Sequence, residues 1–233
     1  EIDKLRLKTT SSLIERKDVI VISSVSCIYG IGSPSEYKEQ VINLEKGNSV
    51  QRRELLRQLV EIHYVRNDTV IERGNFRVRG DIIEVFPAYE DVCVRIELFG
   101  SKVDSIKTFD HITGEVICDM GKLFIYPAKH FVTTMEKAVE IIQKIQEELI
   151  KRLEELRNRG NLLEAQRLEQ RVNFDMEMIR EIGYCSGIEN YSRYFSGRKP
   201  DERPRTLIDF FPDNFMTVID ESHVTLPQIQ GMY

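Results

Sequence analysis

No run of apolar residues in this sequence approaches the roughly 20 needed to cross a bilayer as a helix. A helical membrane span is therefore excluded. The four cysteines, Cys27, Cys93, Cys118 and Cys185, stand far apart and form no CxxC pair. That rules out a zinc-ribbon pattern, and a disulfide framework is not expected at this length. They read as reduced thiols of a cytosolic protein. Positive charge is not in excess either: 33 Lys and Arg stand against 38 Asp and Glu, a net charge of -5. A protein that reads duplex DNA through bulk charge is basic, so any contact with nucleic acid must come from a local patch. Low-complexity tracts and tandem repeats are absent. The first stretch, EIDKLRLKTTSS, is no signal peptide and begins with Glu1 rather than Met. The chain reads as the middle of a longer protein. One more absence bears on chemistry. No G-x-x-x-x-G-K-[ST] loop occurs, and Gly30 and Gly32 in YGIGSP do not replace it, because no Lys follows to reach the β- and γ-phosphates.

What is present is ordinary globular composition, 41% hydrophobic and 30% charged over 233 residues. That length suits one large or two modest domains. Val19 to Ile22 is a short apolar run of the kind buried on both faces of a parallel α/β sheet. A loop from Tyr29 to Pro34 follows, then a short helix over Glu36 to Leu44, capped by Ser33 or Ser35. Arg52 to Ile62 places Leu55, Leu56, Leu59 and Ile62 at helical spacing. From Tyr64 to Tyr126 the period becomes two, with turn residues at Arg73-Gly74-Asn75, Pro87-Ala88, Phe99-Gly100-Ser101 and Thr113-Gly114. This predicts a twisted antiparallel sheet of about four or five strands. Thr133 with Glu136 fits a capping box. Ile141, Ile142, Ile145, Leu149, Leu153 and Leu156 then form a helical stripe, broken at Arg159-Gly160-Asn161. A second helix from Leu162 to Ile182 predicts an antiparallel pair. Phe215 to Ile219 is another apolar run, ending in Asp220-Glu221-Ser222-His223. The β-rich middle is thus framed by α/β pieces, as when one domain is inserted into another.

The sharpest local signal is FMTVIDESH. A buried strand that ends in Asp-Glu is the second phosphate-site motif of P-loop ATPases, with its carboxylates held at the sheet's C-terminal edge. In that role Asp220 binds Mg²⁺, Glu221 orients or deprotonates the attacking water, and His223 couples the site to the rest of the machine. The plainer reading is an exposed Asp-Glu pair at a strand end. Without the phosphate loop a triphosphate has no cradle, so negligible ATP hydrolysis by this chain is expected.

Four segments carry a resemblance. SVSCIYGIGSP (24–34), NFRVRGDIIEVFP (75–87), GYCSGIENYSR (183–193) and DESHVTLPQIQGMY (220–233) resemble the UvrB family, the damage-verifying subunits of the bacterial excinuclease. The likeness covers the chain from Glu1 to Tyr233, with the segments in the family's order. It implies an α/β fold in which a RecA-like P-loop helicase-type domain carries an inserted antiparallel β-rich domain and a helical insert. Residues 1–39 would be part of the first motor domain, and 40–132 the inserted β-rich domain that binds UvrA. Residues 133–212 would be the helical insert near the DNA path, and 213–233 the return to the motor domain. Against the family pattern, the sequence lacks the phosphate loop, the aromatic β-hairpin, the second motor domain and the C-terminal coiled coil.

The resemblance further implies a bacterial, cytoplasmic excision-repair subunit that docks on UvrA, is loaded on damaged DNA, verifies the lesion with ATP turnover and works with UvrC. ATP and Mg²⁺ would serve the full-length protein, a DNA-dependent ATPase; neither is expected to bind this chain tightly. Arg66, Arg77, Arg79, Arg95 and Glu97 match the polar residues with which the family docks UvrA. Arg77 and Arg79 are two apart on a strand and leave one face together, as do Arg95 and Glu97. Several arginines on a sheet face suit a partner's carboxylates, through forked hydrogen bonds. The alternatives are a solvated polar face, or nucleic acid, which the region's many Asp and Glu disfavour. Tyr184, Tyr191 and Arg193 could stack on or clamp a single DNA strand. They could equally fix a corner at Gly183 and Gly187, and the loop of Arg193, Arg198 and Lys199 could simply be solvated. Two rivals remain: a docking module like that of the transcription-repair coupling factor, which would not need Asp220, and an active helicase, which would need the missing loop.

Overall fold

The computed structural model describes residues 1–28, 31–130, 135–199 and 202–231. Thr133 of the proposed capping box with Glu136, and Tyr29 and Gly30 of the early loop, lie outside the described residues.

The β-rich region follows from its period-two pattern. Strand β3 (Asn75–Arg79) turns Phe76 and Val78 inward and Asn75, Arg77 and Arg79 outward. Gly80 adopts φ +60, open to glycine at little cost. Through Gly80-Asp81 the chain returns as β4 (Ile82–Val85), setting Arg79 opposite Ile82 and Arg77 opposite Glu84. Strands β5 (Cys93–Phe99), β6 (Lys102–Phe109) and β7 (Val116–Asp119) continue antiparallel. The two-residue β2 (Val65–Arg66) joins the far edge parallel to β3, giving the order β2-β3-β4-β5-β6-β7. A separate ribbon pairs β1 (Ile42–Glu45) with β8 (Lys122–Ile125). Helix α3 (Arg52–Glu61) sets Leu55 and Leu59, both 0% exposed, into one core with Phe76, Ile83, Val85, Ile96 and Ile106. Truncating either leucine to alanine would cost about 2–5 kcal/mol.

Two long helices, α4 (Met135–Asn158) and α5 (Leu162–Ile182), form the antiparallel pair. The stripe from Ile141 to Leu156 meets Ala165, Val172, Met176 and Ile179. Helix α5 stops at Gly183, which takes φ +69 and donates its N–H to the Ile179 carbonyl at 2.9 Å. A third core joins α1 (Ile2–Glu15) and α2 (Pro34–Glu39) to the β-rich region through Leu7, Leu13, Tyr37, Tyr89, Tyr126 and Phe210. Lys4 reinforces it by pairing with Asp91 at 2.6 Å.

Several expectations are corrected. Val19 to Ile22 is not a strand: Val19 and Val21 pack against the third core, while Ile20 and Ile22 are almost fully exposed. Phe215 to Ile219 is not a strand either, and Met216 and Val218 face solvent. A strand is a property of a ladder, and among the described residues neither run has a partner. The expected helix over Glu36 to Leu44 ends at Glu39, because β8 recruits Ile42 to Glu45 into its ribbon. The sheet has six strands rather than about four or five, and one of its pairings is parallel. The described residues also include helices not foreseen, α1, α6 (Ser192–Phe195) and α7 (Ser222–Gln230).

The β-rich region meets the helical pair at a small joint. His63, at φ +66 just past α3, lays its ring against Gly183, where a Cβ would come within 2.8 Å of the imidazole Cε1. Lys129 Nζ sits 3.4 Å from the centre of the Tyr184 ring. Burial and the Lys129 charge push the His63 imidazole down to about 4, and its buried Nε2 has no partner. His130 stacks on Tyr37 with Nε2 3.2 Å from the Thr10 hydroxyl; burial and the Arg6 charge push it down to about 3. Both imidazoles are therefore neutral when folded. Their stabilisation is complete above the ordinary histidine value of 6.5 and is lost as the pH falls through about 4 and about 3. Thermal midpoints by circular dichroism should hold steady from pH 8 to 6.5 and then fall, as stability drops by on the order of 1–3 kcal/mol per histidine. Paired His63→Gln and His130→Gln substitutions should flatten the decline above pH 5.

Candidate functional site

The sheet has two unequal faces. Its inner face is covered by α3 and the β1-β8 ribbon, while its outer face carries an apolar cluster at one end, Ile71, Phe86, Cys93 and Phe109. Beyond that cluster most outward positions in the strands' middle carry charge, Ile82 and Ser105 excepted. The register runs Arg77, Glu84, Arg95, Lys107 straight across β3 to β6, and Arg79, Ile82, Glu97, Ser105 one step along. Pattern alone thus brings Arg77, Arg79, Arg95 and Glu97 onto one surface; Arg66, on the edge strand β2, stands opposite the inward Phe76 and so falls at a position of the other face.

Sequence reasoning missed the centre of this surface. Glu84 has its side chain 6% exposed and lies between two arginines. Arg77 Nε donates to Glu84 Oε2; Arg95 Nε donates to Oε1 at 2.8 Å, and its Nη2 lies 2.8 Å from the same oxygen. Burial alone would raise the Glu84 carboxyl, but the hydrogen bonds and charges of the two arginines outweigh it and hold it below its ordinary range. Arg95 also stacks over the Phe109 ring at 4.7 Å, which fixes its plane. Glu97 accepts from the Ser105 hydroxyl at 2.5 Å and from Lys107 at 3.2 Å, and these hold its carboxyl low. Arg66 pairs with Asp68 at 2.8 Å, and Asp68 accepts the Val78 N–H. Arg79 is exposed, and among the described residues no ion pair reaches it. The signal for Glu84 was available: counting outward from the Gly80-Asp81 turn sets 79 opposite 82 and 77 opposite 84.

The other candidates fall in two places. Tyr184, Tyr191 and Arg193 lie at the base of the helical pair, and each has an internal partner. Tyr184 lies under Lys129, and Tyr191 donates its hydroxyl to the buried Asp175 at 2.7 Å. Arg193 pairs with Glu148 and stacks on Tyr194 at 4.6 Å. Arg198 beside them donates to Ser196, Ser192 and the Glu202 carbonyl.

Asp220, Glu221 and His223 come together on an exposed turn. Asp220 Oδ1 accepts the Glu221 N–H at 2.9 Å, Glu221 takes φ +47, and His223 Nδ1 is 3.3 Å from Glu221 Oε2. A nucleotide site needs these carboxylates at a buried sheet edge opposite phosphate-binding backbone. Here they flank a solvated coil, and among the described residues no three His, Cys, Asp or Glu side chains converge as a metal-binding group. The turn does not by itself fit ATP and Mg²⁺.

A β-rich region with one charged face, joined to an antiparallel helical pair, defines an accessory assembly suited to protein recognition. Comparison with known proteins sharpens this. Residues 42–131 match the family model of the UvrB interaction domain, and 136–197 that of the UvrB third helical domain. The whole chain is 56% identical to the UvrABC system protein B of Bacillus subtilis and of Oceanobacillus iheyensis, and 57% to that of Carboxydothermus hydrogenoformans. The chain belongs to the UvrB family. It spans about a third of the length of these relatives, 35% of the first and third and 36% of the second.

Because the Asp220 turn is solvated and holds nothing buried, its carboxylates should contribute little to the fold. Asp220→Asn and Glu221→Gln should each change stability by less than about 0.5 kcal/mol in thermal unfolding. A loss several times larger would show that the turn is packed more tightly than its exposure implies.

Proposed function

We propose that this chain supplies the UvrA-docking surface of a UvrB-type excision-repair subunit. The observation that carries the reading is the outer-face row of Arg77, Glu84 and Arg95 with the exposed Arg79 beside it. On that row guanidinium groups outnumber carboxylates, and they stand on paired strands rather than on a loop. A partner that offers carboxylates at matching spacing would meet the arginines of this face, with Glu97 extending the contact there and Arg66 exposed on the neighbouring edge strand. The relatives' shared name places them in a UvrABC system, which agrees with a UvrA partner and a later UvrC partner.

The roles of Asp220, Glu221 and His223 in Mg²⁺ and ATP chemistry, and of Tyr184, Tyr191 and Arg193 on damaged DNA, belong in this reading to the whole protein. There the apolar run before Asp220 would gain neighbouring strands, and a phosphate loop would face the carboxylates. Within this chain they add nothing to docking.

Arg77→Ala combined with Arg79→Ala should weaken binding to purified UvrA by on the order of 2–5 kcal/mol in titration calorimetry. Thermal unfolding should confirm that the double variant is folded. Unchanged affinity in a folded double variant would remove this face from the docking assignment.

A further inference from the structure

The outer face poses a problem of sign. If it captured an acidic partner through net positive charge, a buried glutamate at its centre would oppose its purpose. Yet Glu84 is placed directly opposite both Arg77 and Arg95, on the strand between them. Its side chain is more buried than either arginine's, which are 18% and 27% exposed. The two guanidinium groups use different oxygens, Arg77 on Oε2 and Arg95 on Oε1. One carboxylate thus holds two arginines that would otherwise repel each other across a single strand.

The atoms engaged matter as much as the pairing. Arg77 hydrogen-bonds Glu84 through Nε, and Arg95 through Nε with Nη2 close to the same oxygen. Among the described residues no other hydrogen bond engages the Nη groups of Arg77 or Nη1 of Arg95. The Nε sides thus face Glu84, and the Nη groups it does not engage are left for a ligand. The Phe109 ring below Arg95 and the β-ladder beneath both strands leave little freedom in how those groups point. A free arginine loses rotamer freedom when it is fixed. Here that loss is met on folding rather than on docking.

We infer that Glu84 is a positioning residue for docking, which locks Arg77 and Arg95 so that their outer edges form a preset fork for two carboxylates of the partner. The inference rests on the reading that this face docks UvrA. Glu84 itself need not touch the partner.

Glu84→Gln separates position from charge. It keeps the shape, raises the net charge of the face by one by removing a carboxylate, and presents an amide N–H₂ where an arginine requires an acceptor. Capture through net charge expects tighter UvrA binding at low salt. Positioning expects at least tenfold weaker binding at every salt concentration. It also expects that Glu84→Gln changes affinity little once Arg77 and Arg95 are already alanine, because nothing remains to be positioned. Calorimetry of the chain and its single, double and triple variants against UvrA reads all of these. Affinity equal to or tighter than the parent's, in a folded Glu84→Gln protein, would overturn the inference. So would a loss that persists undiminished in the Arg77→Ala, Arg95→Ala background. If that background itself binds UvrA normally, the docking reading fails instead. Should Glu84→Gln not fold, side-chain NMR of the unaltered chain decides. Separate, slowly exchanging Nε–H signals for Arg77 and Arg95 before UvrA is added support the lock, and averaged, rapidly exchanging signals refute it.

Discussion

Helix α3 covers one face of the sheet and leaves the other open, and most of what this chain does depends on that asymmetry. Leu55 and Leu59 take the inner face wholly out of water. Inner-face burial fixes the register of β3 to β6, because a slip by one residue would send Phe76, Val78, Ile83 and Ile96 outward and Arg77 and Glu84 into the core. The charged row outside is therefore held in place by the apolar row inside. No loop could set Arg77, Glu84 and Arg95 abreast as firmly, since each is aligned by backbone hydrogen bonds to the next strand.

The same economy runs through the helical pair. Its stripe of Ile and Leu is satisfied internally, and the buried Asp175 is satisfied by Tyr191 and Arg171. That leaves Tyr184 and Gly183 at one end to meet the β-rich region. Tyr191 and Tyr184 thus serve structure in this chain, whatever further part they take in the whole protein.

Much of the fold could be read from the residues alone. The switch from helical spacing at Leu55 and Leu59 to alternation at Phe76 and Val78 marked the sheet and its helix. The break at Gly160 marked the two-helix pair, and Arg77 with Arg79 marked one outward face. What could not be read depended on distant partners. Val19 to Ile22 and Phe215 to Ile219 have the composition of buried strands, but composition does not supply a neighbour. Leu44 was assigned to a helix because nothing near it in sequence reveals that Ile125 and Leu123 would draw its segment into a ribbon. Glu84 went unnoticed for a different reason. Its part comes from its register across from both arginines, which involves β5 as well as the adjacent turn.

The contact between His63 and Gly183 shows that a border between domains in sequence is not one in mechanics. The ring rests where only a hydrogen atom leaves room, so residues 120 positions apart constrain each other as closely as neighbours in a core. Severing the chain near the border would leave the sheet its leucines and its ladder. It would also let water reach the buried imidazole nitrogen, replacing a dry seam with a hydrated surface. The separated sheet would then no longer register acid through that ring, although not one of its own hydrogen bonds had changed.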